Sequence, residues 1–413
     1  MNRRSRSGAA LCLPAVALCL LGCGSDPQPE PGRVVFGTDD PFDVPITELS
    51  TADKQTFADG DALFDLSLRE YDGLGPLYTR AACSNCHAEG VRGPGLVQKM
   101  VVTEADGVTP APDQSKLAFG HTVHPLVAGG ATTPVLPPAG DSSIKITLRL
   151  GPPILGRGYM EAVADSEIER VAAAQALRGD GIHGRVNHVP YSAQPNTDTT
   201  FHQHQPGDPV IGRFGLKARI SSVDEFTADA LQGDMGITSP LRPTEIPNPD
   251  GLADDRKPGV DITMESVNKR ADYVRTTAIP RRIAMDARGP QLFEQVSCGG
   301  CHVATMRTRS DYPIALLAGI DAPIYTDLLL HDMGDALADG TVEGEATGRD
   351  WRTAPLIGLR FNKVFMHDGS AATIEDAIHA HAAAGSEASG SVAAFDALSA
   401  ADRQLLLQFV SSL

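Results

Sequence analysis

Apolar residues recur at helical spacing in several short stretches of the chain, and these stretches predict its helices. In 403–410 the leucines, the phenylalanine and the valine share one face, and Ser399 with Asp402 forms a capping-box-like start before it. The stretch 288–296 predicts a second short helix. In 263–277 the apolar residues again fall on one face, which predicts a third helix.

Proline and glycine interrupt the rest of the pattern. The chain contains 41 glycines and 30 prolines, which indicates a protein rich in loops. The run around 110–140 is rich in both residues, and 183–209 is polar. We expect both segments to form loops over the core.

The N-terminal region has the pattern of an export signal. Residues 1–22 begin with three arginines and continue with an apolar stretch at 9–21, which is the length of a signal peptide. The residues 20–23 are similar to a bacterial lipobox, in which Cys23 would be lipidated. The residues 23–50 would then be a flexible tether. An ordinary secretory signal is the alternative, and both interpretations export the protein. If Cys23 is lipidated, we expect a lipoprotein of the bacterial cell envelope that is anchored at the outer membrane and faces the periplasm.

Charge narrows the range of partners. The formal net charge is −17, which argues against nucleic acid because phosphate backbones require clustered Lys and Arg. It favours a redox partner protein with a basic surface. No apolar run reaches the length of a membrane-spanning helix, so we expect membrane contact only through the lipid anchor.

Four of the seven cysteines fall into two identical Cys-x-x-Cys-His motifs. The two motifs consist of Cys83, Cys86 and His87 and of Cys298, Cys301 and His302. This motif attaches c-type haem, because two thiols one turn apart can both bond the haem vinyl groups. The adjacent histidine then ligates the iron as the proximal ligand. The sequence therefore predicts two covalently bound haems.

Other roles for the cysteine pairs fit less well. Zinc ribbons usually need pairs about 15–20 residues apart, and these motifs lie in opposite halves of the chain. Thioredoxin-like pairs need a βαβ context that neither motif has. A disulfide across three residues would constrain the chain very little.

The helices and motifs together predict the domain organisation. A short helix, a haem motif and a closing helix are the layout of a cytochrome c domain, which we expect at 286–413. The stretch 57–64 and the helix at 263–277 would open and close a first domain at 51–280. We therefore predict a mostly α fold with two cytochrome c-like haem domains and long loop insertions in the first.

Several further stretches resemble one family. They are residues 72–77, 212–218 with 233–238, 325–334, and 351–356 with 367–369. With the haem motifs they resemble the bacterial di-haem oxidoreductase family, which is often labelled di-haem cytochrome c peroxidase-like or thiol oxidoreductase. The resemblance covers most of 51–413 and implies electron transfer between two haems. The family is distantly similar to bacterial cytochrome c peroxidases, which use a small oxidant such as peroxide.

The sixth ligands of the irons decide whether a haem only carries electrons or also reacts. In the related peroxidases a Met that ligates the second haem ends the helix after a His-Asp-Gly sequence, and here that place falls on His381. Met366 is the alternative. For the first haem the candidates are Met160, Met235, His121 and His124, and the sequence does not choose among them.

Other polar residues have candidate roles. Arg213, Lys217 and Arg352 could pair with haem propionates. His331, Asp332, His367 and Asp368 could orient a ligand or hold an interdomain calcium ion. His183, His188, His202 and His204 form a polar cluster that is more typical of a solvated loop than of a metal site. Glu375 and Asp376 fit a helix N-terminus better than a catalytic base.

Three functions remain open at this point. The first is an exported di-haem oxidoreductase of peroxidase-like type. The second is a non-catalytic di-haem electron-transfer lipoprotein with both irons six-coordinate. The third is a lipoprotein sensor that uses haem structurally. The sequence assigns no catalytic residue.

Overall fold

The computed structural model describes residues 43–253, 257–283 and 286–413. The predicted signal peptide, the lipidation site Cys23 and most of the predicted tether lie outside these residues. Among these residues, none of the helices combines the length and the hydropathy of a membrane-spanning segment.

Nine α-helices occur in the described residues. They are α1 Thr51–Asp65, α2 Arg157–Ala162, α3 Asp165–Gln175, α4 Val223–Met235, α5 Met264–Thr276, α6 Arg288–Gln295, α7 Ile374–Ala380, α8 Ser389–Asp396 and α9 Ala400–Ser412. The predicted helices at 57–64, 263–277, 288–296 and 403–410 correspond to α1, α5, α6 and α9. Local signals set their starts, since the Ser399 hydroxyl accepts a hydrogen bond from the Asp402 amide at 3.1 Å.

Ten short strands accompany the helices. They are β1 Leu77–Tyr78, β2 Leu96–Val102, β3 Leu126–Val127, β4 Ile144–Leu150, β5 His188–Pro190, β6 Pro209–Ile211, β7 Met306–Arg307, β8 Asp321–Ala322, β9 Leu330–Asp332 and β10 Asp350–Arg352. They form five antiparallel pairs: β1–β3, β2–β4, β5–β6, β7–β8 and β9–β10. The prediction of a mostly α fold is therefore correct only in part, because the structure has 31% helix and 15% strand.

Six of the ten strands lie in the first half of the chain, for which the sequence predicted long insertions. The longest pair, β2 with β4, is a ribbon of seven residue pairs from Leu96–Leu150 to Val102–Ile144. It borders the Pro- and Gly-rich loop at 110–140, which contains only the two residues of β3. In β4 half-buried and exposed residues alternate along the middle of the strand, and both ends are buried.

Two helix crossings of the same kind organise the two halves. Helix α1 packs against α5, and α6 packs against α9. A Cβ added at Gly60 of α1 would lie 2.2 Å from the Lys269 carbonyl oxygen, and one added at Gly289 of α6 would lie 2.6 Å from Phe409 Cβ. A phenylalanine follows each glycine by four residues and is buried, at Phe64 and Phe293. The glycines thus let each opening helix approach its closing helix closely.

The largest apolar cluster draws on both halves of the chain. It joins Phe57 and Tyr159 to Met306 and Leu329, and all four are buried. A separate cluster lies around α6 and α9. The division of the chain at residues 280–286 stays a prediction, since the core itself is continuous across it.

Candidate haem sites

Each Cys-x-x-Cys-His motif forms a short 3₁₀ turn. In the first motif the His87 amide donates to the Cys83 carbonyl at 3.0 Å, and in the second the His302 amide donates to the Cys298 carbonyl at 3.0 Å. The second turn directly follows α6. All four cysteines are free of disulfides. The turn places two thiols and one imidazole close together in each half, as covalent haem attachment requires.

The two motif histidines are held in the same way. The Nδ1 atom of His87 donates to the Pro152 carbonyl at 2.7 Å, and Nδ1 of His302 donates to the Tyr325 carbonyl at 3.1 Å. Burial lowers the pKa of each to about 4. Both imidazoles are therefore neutral with Nε2 free, which is the form and tautomer of a metal ligand.

A cavity of about 250 Å³ lies beside the second motif. Cys298, Cys301 and His302 line it, and so do both predicted distal residues, His381 and Met366. The remaining lining is largely apolar and includes residues of α6, α7, α8 and α9 and of the segment 351–359. The arrangement suits a porphyrin, which needs an apolar slot with ligands on its two faces.

His381 has the geometry of a distal ligand. Its Nδ1 atom donates to the Ala377 carbonyl at 2.6 Å, which leaves Nε2 free. Burial lowers the pKa of His381, and after burial its charge is the next cause of the lowered pKa of His302. The two imidazoles are thus close in space although 79 residues separate them. The prediction of His381 as the sixth ligand remains open, but the structure brings it to the correct cavity.

Met366 reaches the same cavity from a strained turn. Its φ angle is +68°, a conformation that side chains other than glycine rarely adopt. Its carbonyl accepts a hydrogen bond from Arg92 Nη1 at 2.8 Å. The backbone of Met366 is therefore tied to the loop that follows the first haem motif.

Three arginines border this cavity: Arg157 and Arg352, which are buried, and Arg92, which is half-buried. None of them pairs with a carboxylate among the described residues. Burial lowers the pKa of Arg157 well below its usual value, and the charges of Arg352 and Arg92 lower it further. Because uncompensated buried cations are costly, this cluster fits an anionic group such as the haem propionates. The residues present thus fit a haem.

Of the three propionate partners predicted from the sequence, only Arg352 lies at the cavity. Arg213 pairs with Asp165. Lys217 lies 3.2 Å from Asp339, and its ammonium is 4.2 Å from the centre of the Trp351 ring. Arg92 and Arg157 were not predicted, because only the folded chain brings them to the second motif.

The four candidates for the distal ligand of the first haem are held by contacts of their own. Met160 is buried, and its sulfur accepts from Arg157 Nη1 at 2.8 Å. Met235 is buried in an apolar cluster that Cys83 also contacts. His121 is exposed and donates to the Met100 carbonyl, while buried His124 donates to the Gly233 carbonyl. The distal ligand of the first haem stays open.

His331 lies beside the second motif in a charged network. Its Nε2 atom is 2.9 Å from Asp327 and its Nδ1 atom is 2.7 Å from Glu387. With Cys301 it belongs to a group of three potential metal ligands. Sulfur and nitrogen are not ligands that calcium prefers, so this group does not support the predicted calcium ion. Of the other candidates, Asp332 pairs with Arg349.

The remaining predicted polar residues lie at or near this cavity. His367 lines it and stacks on Trp351 with ring centres 4.0 Å apart, and Asp368 accepts from the Ser370 amide. Glu375 and Asp376 lie in the first turn of α7, where Asp376 completes a capping box.

The four-histidine cluster does not converge on one point. His202 and His204 stack on each other, and His202 contacts Asp224. His183 donates to the Gln175 carbonyl and His188 is paired with Glu345.

The two motifs are linked through a short segment. Pro152, whose carbonyl holds His87, also lines the second cavity together with Pro153 and Arg157. The two candidate haem sites are therefore neighbours, as electron transfer between them requires.

Comparisons with known proteins agree with this chemistry. The sequence model of the family described as "Di-haem oxidoreductase, putative peroxidase" matches residues 139–413. A search of curated proteins finds no match. A solved structure of Kuenenia stuttgartiensis hydrazine synthase, pressurized with 20 bar xenon, is 13% identical and covers 98% of this chain and 100% of its own. Its TM-score of 0.37 is too low to support an argument.

Proposed function

The chain belongs to the di-haem oxidoreductase family, and we propose that it is an exported c-type member. In this proposal it relays electrons between two haems, bound covalently through Cys83 and Cys86 and through Cys298 and Cys301, in a peroxidase-like reaction. One observation carries the proposal. The cavity beside the second motif combines two thiols, a proximal imidazole, a second imidazole at His381 and three unpaired arginines.

The fold supports the proposal of two cytochrome c-like units. Each motif lies between an opening and a closing helix that cross at a glycine, α1 with α5 and α6 with α9. Each motif histidine donates its Nδ1 proton to a backbone carbonyl. The repetition of both features around both motifs is what two related haem sites would require.

The haems would supply one-electron storage and a metal centre at which peroxide is reduced. Reduction of H₂O₂ takes two electrons and two protons and yields two waters, so one electron from each haem suffices. A donor protein would return the electrons. The chain's own residues would ligate the irons, neutralise the propionates and exclude water.

We assign different roles to the two haems. A haem with two imidazole ligands is suited to electron transfer, and His302 with His381 would give the second haem that ligand set. The first haem would then be the reactive one. The second cavity supports this assignment because the imidazole of His381 has its Nε2 atom free.

A non-catalytic electron-transfer protein is the second candidate. The same observation favours it, because two strong ligands on the second haem carry electrons without chemistry. The two functions differ at the first haem, which would be open in the oxidoreductase and six-coordinate in the carrier.

Export and a lipid anchor complete the proposal. Cys23 would fix the protein to the outer membrane, facing the periplasm, and the net charge of −17 would favour a basic redox partner. A Cys23→Ser variant should move from the membrane fraction to the soluble periplasmic fraction. Partner affinity should fall as salt is added.

The deciding experiment uses holo-protein from a host that attaches c-type haem. Electron paramagnetic resonance should show one high-spin and one low-spin iron, and peroxide should be consumed with oxidation of a reduced cytochrome donor. Two fully low-spin irons that do not react with peroxide in any redox state would contradict the oxidoreductase and support the carrier.

A further inference from the structure

The second haem cavity takes two of its three arginines from the first half of the chain. Arg92 follows His87 by five residues, and Arg157 begins α2. Arg352 alone comes from the half that carries the second motif. All three line the same cavity; after burial, the charges of Arg352 and Arg92 are the next causes of the lowered pKa of Arg157, so the three form one cluster.

No arginine of the cluster forms an ion pair with a carboxylate among the residues described, although the charge of Asp327 partly offsets the effect of burial on the pKa of Arg352. Arg157 donates only to the Pro153 carbonyl and the Met160 sulfur. Arg352 donates to the carbonyls of Gly215 and Thr353. Backbone carbonyls orient a guanidinium but do not neutralise its charge, and an unpaired buried charge is strongly destabilising.

Arg92 also keeps a donor unused. Its Nη1 atom binds the Met366 carbonyl, whereas its Nε atom is buried without a partner. Guanidinium groups bind carboxylates with two parallel hydrogen bonds. A cluster of such groups at a haem-sized cavity therefore matches the two propionates of one haem.

Both first-half arginines lie on segments that carry or contact the first motif, and the guanidinium of Arg92 also binds the Met366 carbonyl. The segment that holds Arg157 through the Pro153 carbonyl holds His87 through the neighbouring Pro152 carbonyl. Arg92 lies on the loop that continues from His87. The positions of both guanidinium groups thus depend on the folded first motif.

We propose that Arg92 and Arg157 bind the propionates of the second haem, so that the first half of the chain completes that site and sets its reduction potential. The inference rests on the proposed function, because it needs a haem at the second motif. Beyond the proposed function, the inference states that the second haem site is incomplete without the first-half segments that carry Arg92 and Arg157.

The electrostatic consequence has a definite sign. A haem carries one more positive charge when oxidised than when reduced. Removing a nearby cation therefore stabilises the oxidised form and lowers the reduction potential. For a buried charge the effect should be about tenfold in the ratio of reduced to oxidised haem, which corresponds to about 59 mV for one electron.

The test is a spectroelectrochemical titration of holo-protein carrying Arg92→Leu or Arg157→Leu. A Cys298→Ala/Cys301→Ala variant, which should retain only the first haem, assigns the two potentials. Arg307→Leu is the matched control, since it removes one positive charge from an exposed ion pair with Asp321. Arg92→Lys and Arg157→Lys keep the charge and test whether it alone matters.

We expect each leucine variant to lower the reduction potential of the second haem, which changes its ratio of reduced to oxidised haem by about tenfold at a fixed applied potential. The potential of the first haem should change less. The lysine variants keep the positive charge, so the potential of their second haem should stay close to the wild-type value. Loss of the second haem alone, by haem content, would also support the inference. Second-haem potentials that match the Arg307→Leu control would overturn it. Wild-type protein without covalent haem would instead contradict the proposed function.

Discussion

The Nδ1 atom of His87 donates a 2.7 Å hydrogen bond to the carbonyl of Pro152, and Pro152 itself borders the cavity that contains His302. One residue therefore contacts the proximal histidine of the first motif and the cavity of the second. The hydrogen bond fixes the tautomer of His87 and leaves Nε2 free for iron. The adjacency of the two sites follows from this contact, and it supports electron transfer within one chain.

Two residues compete as the distal ligand of the second haem, and their variants should separate them. Replacing His381 by alanine should convert the second haem from low-spin to high-spin, because it removes an imidazole that lines the same cavity as His302. Replacing Met366 by alanine should leave the spin state unchanged. The measurement is electron paramagnetic resonance of the oxidised protein. Added imidazole should restore the low-spin signal in the His381→Ala protein, and the reverse pattern would assign the ligand to Met366.

The helix crossings should be intolerant of a single methyl group. Gly60→Ala and Gly289→Ala would place Cβ within 2.2 Å of Lys269 O and 2.6 Å of Phe409 Cβ. We expect each to destabilise the protein by about 1–3 kcal/mol. Gly390→Ala in α8 is the control, because nothing lies within 4 Å of a Cβ added at that position. This variant should be neutral or slightly stabilising. Thermal unfolding of holo-protein measures all three, and equal effects at Gly60 and Gly390 would contradict the crossing.

One carboxyl on α1 should make stability depend on pH. Burial, with the charges of Asp43 and Asp65, raises the pKa of Asp61 from 3.8 to about 6. The folded state thus favours protonated Asp61, so this contribution is present at low pH and is lost as the pH rises through about 6. Asp61→Asn should therefore raise the melting temperature at about pH 7.5 more than at about pH 4.5.

Asp59 provides the control for that measurement. It lies on the same helix and is exposed, and its hydrogen bond from Gln55 lowers its pKa. Asp59→Asn should not reproduce the gain at higher pH. If Asp61→Asn and Asp59→Asn have the same pH profile, the raised pKa of Asp61 has no influence on stability.

His331 should be essential to the stability of the second site. It lies between Asp327 and Glu387, and His331→Leu would leave two carboxylates facing an apolar group. We expect a loss of about 3–5 kcal/mol in the free energy of unfolding. The exposed pair of His379 with Asp396 is the control, and His379→Leu should cost at most about 1 kcal/mol. Denaturant unfolding compares them, and similar losses would show that burial is unimportant.

Local patterns predicted four of the nine helices in the described residues, α1, α5, α6 and α9, since capping residues and periodicity act over a few residues. The start of α9 at Ser399 is an example. The family resemblance, rather than local patterns, pointed to His381 with Met366 as the alternative, and the structure places both at the cavity beside the second motif. Local patterns missed the ribbon of β2 with β4, since the Pro- and Gly-rich sequence between the strands suggested a loop.

Residues that meet only after folding were beyond local patterns. Arg92 and Arg157 reach the second cavity from the other half of the chain, so nothing near the second motif points to them. Arg213 and Lys217 resemble propionate partners in sequence, but Asp165 and Asp339 pair with them in the structure. Tertiary pairing of charges decides such roles.

The central claim is that the chain carries two covalently bound haems. The most direct measurement is the intact mass of the denatured mature protein, together with its haem absorbance, after production in a host that matures c-type cytochromes. The account predicts a mass increase of two haems per chain, reduced to one in Cys298→Ala/Cys301→Ala. A colourless protein with no mass added by haem would contradict it.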